Sequence, residues 1–131
     1  MLNIACVLKS GGVYKPAHVE HLRLSVDLFA QKWKRTREFK FACLTDDASL
    51  LDAIPRIEFD GRLLGAIPLL NNWPGWWSKL ELFRAFPQGE HVLYFDLDTE
   101  IVGDLTPIFE RVMDLADSQI IALEDFFRRE G

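Results

Sequence analysis

Apolar positions along the chain alternate between short continuous runs and longer stretches with a helical period. Leu2 to Leu8 is a run stopped by Lys9-Ser10-Gly11-Gly12, the pattern of a strand buried on both faces and ending in a turn. From Pro16 to about Trp33, Val19, Leu22, Val26, Phe29 and Ala30 recur at spacings of three and four, which predicts an amphipathic helix with Pro16 in its first turn. Phe39 to Leu44 reads as a second strand, and Thr45-Asp46-Asp47 after it supplies N-cap chemistry for a helix around 48–53. Arg56 to Phe59 reads as a short third strand. The segment 60–74, broken by Gly61, Gly65, Pro68 and Asn71-Asn72, reads as a loop. Trp76, Trp77, Leu80, Phe83 and Phe86 fit one helical face that ends at Pro87, and the spacing of Trp76 with Leu80 and Phe83 points to core packing as the role of Trp76. His91 to Phe95 reads as a fourth strand, 99–102 as an extended piece, 107–115 as a helix and Ile120 to Leu123 as a last strand.

Strands that alternate with helices, each strand nearly continuous in apolar residues, predict an α/β domain with a mostly parallel sheet and helices on both faces. Ligands in such sheets bind beyond the carboxyl ends of the strands. Three polar clusters fall there: Lys9 to Tyr14, Asp46-Asp47, and Asp96 to Thr99.

Composition narrows the function classes. The 131 residues, 49% hydrophobic, suffice for one compact domain, and a net charge of −5 gives no footprint for nucleic acid. The basic residues between Lys32 and Lys40 read as a solvated helix end. Nothing near the amino terminus is long enough for a membrane span or shaped as a signal peptide. Cys6 and Cys43 sit inside apolar runs and read as buried free thiols in a reducing cytoplasm, the expected location.

The sharpest chemical signal is Asp96 and Asp98, two carboxylates placed two residues apart directly after an apolar strand, where such side chains project to one side. Carboxylates so placed repel unless a cation lies between them. Mg²⁺ or Mn²⁺ suits their hard oxygens and keeps coordination positions for water and phosphate; the plain alternative is a pair of turn caps.

The stretch Val92-Leu-Tyr-Phe-Asp96-Leu-Asp98-Thr-Glu-Ile-Val-Gly103-Asp104-Leu105 resembles the D-x-D region of glycosyltransferases of the Rossmann-like GT-A fold, with glycogenin-like and bacterial lipopolysaccharide galactosyltransferase-like enzymes as the nearest in pattern. The resemblance implies a nucleotide-diphospho-sugar donor, UDP as its nucleotide, a divalent metal on Asp96 and Asp98, and retention at the anomeric carbon. It implies donor contacts from Leu8, Lys9, Tyr14, Asp46, Lys79, Asp96 and Leu97. Lys79 stands where family members carry a Lys or Arg before a Leu in the helix ahead of the metal strand; together with Asp125, beyond the last strand, it is the implied catalytic residue. A surface lysine is the plain reading of Lys79, although an ammonium on a flexible stem also suits a departing diphosphate. Tyr14 stands where the family stacks a tyrosine on uracil, and an aromatic face stacks on any base. The loop here reads Lys9-Ser10-Gly11-Gly12, whereas the family usually places acidic residues or Asn there. Capping accounts for at least one of Asp46 and Asp47. Trp73, Trp76 and Trp77 could wall a sugar pocket.

Relatives take a third metal ligand, a histidine, from a motif farther downstream than Gly131. His91, five residues before Asp96 on one strand, would lie roughly 16 Å away at about 3.3 Å per residue, and His18 and His21 read as surface residues. The expectation is therefore a donor-binding part without the acceptor part, catalytically incomplete alone and prone to self-association through the apolar strand 120–123. The acceptor and the sugar are left open. Two rivals stand beside this reading: a non-catalytic nucleotide-binding or partner-binding module, and a Mg²⁺-dependent phosphatase of the haloacid dehalogenase type, whose D-x-D normally opens its domain.

Overall fold

The computed structural model describes residues 2–54, 64–73 and 75–116. Four strands, β1 (Leu2–Leu8), β2 (Phe39–Thr45), β3 (Leu64–Pro68) and β4 (His91–Tyr94), form one all-parallel sheet in the order β3-β2-β1-β4. β1 is held on both edges, Leu2 to Leu8 against Phe39 to Thr45 and Leu2 to Ala5 against His91 to Tyr94. Its residues are buried except for Val7, which is partly so. That is why the run carries no polar alternation.

Register divides the side chains between two faces. Leu2, Ile4 and Cys6 stand opposite Phe39, Phe41 and Cys43, and all six join the core with Val19, Leu22 and Val26 of α1 (Pro16–Phe29), Trp33 of α2 (Gln31–Lys34), and Phe109 and Val112 of α4 (Thr106–Met113). Trp33 and Phe39 both meet Phe109 edge to face, with ring centroids 5.5 and 5.7 Å apart. The core thus seats α1, α2 and α4 on one face of the sheet. Tyr94 pairs with Ala5 and so belongs to the other face, where Lys79 approaches it. Cys6 and Cys43 are free and buried, and the Cys6 thiol is pushed well up by its hydrogen bond with Cys43 and by burial, which keeps it protonated.

Three sequence expectations change. The helix from Pro16 breaks at Ala30, and the Phe29 carbonyl at the break accepts from Leu105 N–H at 2.8 Å, which ties the end of α1 to the start of α4. The segment expected as loop contains β3. Gly65 and Pro68 read as breakers, but β3 is the outer strand beside β2, and a proline at the end of an outer strand gives up no ladder bond. The segment expected as one helical face is a 3₁₀ helix (Gly75–Glu81) followed by one turn, α3 (Leu82–Ala85). Leu80 and Phe83 are exposed there, Phe83 at 77%, whereas Ser78 and Glu81 are buried. The helix around 48–53 is also 3₁₀ and is capped by Asp47, which accepts from Ser49 N–H at 3.0 Å. Residues 99–102 join no strand. The expected strands at 56–59 and 120–123, the latter carrying the expected self-association, lie outside the described residues.

Phe109 is buried and Phe83 exposed, and stability tells the two apart. Phe109→Ala should cost about 3–5 kcal/mol in urea unfolding, the range for a buried phenylalanine. Phe83→Ala should change stability by less than about 0.5 kcal/mol. A large loss at position 83 would restore the helical-face reading.

Candidate functional site

The strand order reverses beside β1, whose carboxyl end leads away toward β2 while β4 flanks its other edge. Such a switch point leaves a crevice at the strand ends. A cleft of about 390 Å³ lies there, within the usual size of small-ligand sites, and its lining includes Lys9, Tyr14, Lys79, Tyr94, Asp96 and Asp98.

Each side chain arrives from a different element. β4 ends at Tyr94, and the next residues form a turn closed by Thr99 N–H on the Asp96 carbonyl at 3.0 Å. A turn, rather than the extended strand expected from spacing, therefore carries the two carboxylates. Leu97 between them is buried in the core, which directs Asp96 and Asp98 into the cleft. Beyond β1, Gly11 takes φ 74°, a conformation that favours glycine, and so turns the loop that carries Tyr14. Lys79 comes from the 3₁₀ helix.

Lys79 and Asp96 form an ion pair, Nζ to Oδ1 2.6 Å, with 37% and 50% of their side chains exposed. A half-exposed pair of this kind contributes at most about 1 kcal/mol. The Tyr94 hydroxyl donates to the same Asp96 oxygen at 2.8 Å, and its ring centroid lies 5.4 Å from the Lys79 ammonium. Burial would raise the Asp96 pKa, but the hydrogen bonds from Lys79 and Tyr94 and the lysine charge outweigh it and hold the carboxyl below its ordinary value. Tyr94 moves upward, through burial first and then the Asp96 hydrogen bond and charge. Tyr14 also moves upward, through loss of solvation first and then the charge and hydrogen bonding of Asp98. Both phenols keep their protons. The Tyr14 ring stands edge-on to His18 at 5.4 Å, and His18 Nδ1 accepts from Lys15 N–H at the start of α1.

Of the residues singled out from sequence, Lys9, Tyr14, Lys79, Asp96, Leu97 and Asp98 line this one cleft. The Lys9 ammonium is bound to the Trp73 carbonyl. Leu8 faces the core, which leaves its backbone for any ligand contact. Asp46 is held by the β1 loop: its two oxygens accept from Ser10 N–H at 2.8 Å and Ser10 Oγ at 2.7 Å, pinning that loop to the end of β2. Those bonds overcome the effect of burial and lower its pKa. Asp125 lies outside the described residues, as does the side chain of Trp76. Trp73 and Trp77 are partly exposed. His91 Nε2 is bonded to the Leu115 carbonyl at 3.0 Å and takes no part in the cleft, and His18 and His21 are exposed.

Sequence reasoning missed Tyr94 and Glu81. The alternation that singled out Asp96 and Asp98 reaches back to Tyr94 as well, so that signal was present. Glu81 gave none. Its buried carboxylate accepts from Leu70 N–H at 2.8 Å, Asn71 N–H at 3.1 Å and Arg84. Ser78 Oγ donates to the Trp73 carbonyl at 3.3 Å. The helix that bears Lys79 is thereby fastened to the loop after β3.

A hard divalent ion fits the donor set on its chemistry. Asp96 and Asp98 offer two carboxylates at one open cleft, and Mg²⁺ commonly takes one or two carboxylates while waters and phosphate oxygens complete its shell. Among the described residues no group of three or more His, Cys, Asp or Glu could hold a metal ion.

No protein-family model matches the chain, and no curated protein matches it. A solved structure does. The chain superposes with a TM-score of 0.62 on the galactosyltransferase LgtC, crystallised in complex with donor and acceptor sugar analogues. The fold is a Rossmann-like GT-A fold. Identity is 17%, and the match covers 82% of this chain and 42% of the galactosyltransferase chain. No helix among the described residues is long and apolar enough to cross a membrane.

Glu81→Gln tests the fastening. An amide presents NH₂ where the carboxylate accepts, so the variant should melt about 3–8 °C below wild type at pH 7. Burial alone would raise the Glu81 pKa; the Leu70, Arg84 and Asn71 hydrogen bonds outweigh it and leave it lowered. A depressed carboxylate contributes stability above its unfolded pKa of about 4.3 and loses it as pH falls through the folded value. The difference between the two melting temperatures should therefore be full at pH 7 and shrink below about pH 4. A constant difference across that range would rule out the ionised carboxylate as its source.

Proposed function

We propose that the chain is the donor-binding part of a glycosyltransferase that takes a UDP-sugar together with Mn²⁺ or Mg²⁺. One observation carries the reading: a carboxylate pair, a lysine and an exposed tyrosine, contributed by three separate elements, line a single cleft at the switch point of a GT-A-like sheet. Asp96 and Asp98 would hold the metal, which when bound supplies Lewis-acid charge for departure of the nucleoside diphosphate. Asp96 also reaches the ribose. Tyr14 stacks on the base, and the backbone of Leu8, Lys9 and Leu97 borders the nucleotide. Lys79 meets the diphosphate as the bond from the sugar carbon to the phosphate oxygen breaks and the electron pair stays on that oxygen, where an ammonium is worth most. Asp125 is assigned the face of the donor sugar. Asp46, spent on Ser10, acts on the nucleotide through the loop it anchors. The acceptor is unassigned.

The phosphatase rival places its D-x-D after the first strand of the domain, whereas Asp96 and Asp98 here follow β4, the fourth strand among the described residues, beside β1. The non-catalytic module shares every binding feature of this site and differs only in turnover.

Calorimetry with UDP and Mn²⁺ should show binding that weakens at least about tenfold in Asp98→Asn, the loss of one carboxylate from a two-carboxylate site. Undiminished affinity in that variant removes the metal assignment. Release of UDP from a UDP-sugar, compared with binding alone, separates a transferase from a binding module.

A further inference from the structure

Asp96 already has a cation. The Lys79 ammonium and the Tyr94 hydroxyl both occupy Oδ1, so a divalent ion that binds this oxygen meets a positive charge seated 2.6 Å from it. Two cations at bonding distance from one oxygen repel strongly. Formal charge adds a second constraint, because Lys9 and Lys79 balance Asp96 and Asp98 in the cleft lining. A balanced cleft has little net pull on a diphosphate. A carboxylate pair with one member neutralised also has a reduced pull on a metal. Each ligand lacks what the other would bring.

The ion pair is easy to break. It is half exposed, and such pairs hold weakly in water. The lysine stem is flexible and can carry its charge to a new partner. Asp98 has the neutral phenol of Tyr14 beside it, which opposes no incoming cation.

We propose that Lys79 is a resident cation on Asp96 which a divalent ion displaces, and that the released ammonium turns to the diphosphate, so metal and nucleotide bind with positive coupling through Lys79. The inference rests on the donor-binding reading of this site and concerns the order of charges within it. Coupling of this kind is reciprocal: whatever UDP does for Mn²⁺ affinity, Mn²⁺ does for UDP.

Binding of Mn²⁺ to the full chain, followed by electron paramagnetic resonance of the free ion with and without UDP, tests the proposal. Without UDP, Lys79→Met should bind Mn²⁺ about threefold to tenfold more tightly than wild type, the scale of one half-exposed charge pair, and Lys79→Arg should resemble wild type. UDP should tighten Mn²⁺ binding in wild type, and the enhancement should be smaller in Lys79→Met by about the same threefold to tenfold, the remainder coming from phosphate oxygens on the metal. Thermal melts confirm that the variants fold, and Lys79→Gln carries the same comparison if the methionine variant does not. Equal Mn²⁺ affinity in wild type and Lys79→Met, lost in Asp98→Asn, overturns the displacement while the metal assignment stands. An enhancement by UDP that is undiminished without Lys79 also overturns it. Absence of Mn²⁺ binding in every variant, with or without UDP, overturns both the displacement and the metal assignment.

Discussion

Everything at the site depends on β1 being hydrogen-bonded along both edges. A strand paired on two sides and covered on both faces ends at one place only, and here the neighbour to one side is reached through α1 and the neighbour to the other follows much later in the chain. The loops therefore part at the end of β1, and the opening lies between Lys9 to Tyr14 and the turn at Asp96. The core beneath explains why the opening persists. Phe95 and Leu97 face the same core as Ile4 and Phe109, so the residues between and after them have no choice but the other side.

Much of this was legible in the sequence because the strands that build the site are buried on both faces and read as unbroken apolar runs. β1, β2 and β4 appear within a residue or two of their expected bounds, and Asp47 caps as its position suggested. Legibility failed where the chain is exposed. β3 is an outer strand whose glycine and proline mimic a loop, and the period of three and four after Pro74 includes Trp77, Leu80 and Phe83, which are exposed. Periodicity reports a helical face but not what the face meets. Glu81 was invisible for a related reason: a glutamate in such a segment is normally solvated, and only the fold shows that two backbone amides converge on it.

The partners of the carboxylates sort them by role. Asp46, Asp47, Asp104 and Glu81 each accept from at least one backbone N–H, on Ser10, Ser49, Thr106, and Leu70 with Asn71 respectively. A backbone amide cannot leave without moving the chain, so these four carboxylates are fixed parts of the fold. Asp96 differs, since the partners that meet its carboxylate are the side chains of Lys79 and Tyr94. Side-chain partners can rotate away at little cost, which leaves Asp96 ionised, placed and open to exchange. Sequence alone cannot draw this distinction, because each of these residues is an acidic side chain beside a turn or helix start. Geometry draws it: of these five carboxylates, the one held by side chains alone lines the cleft.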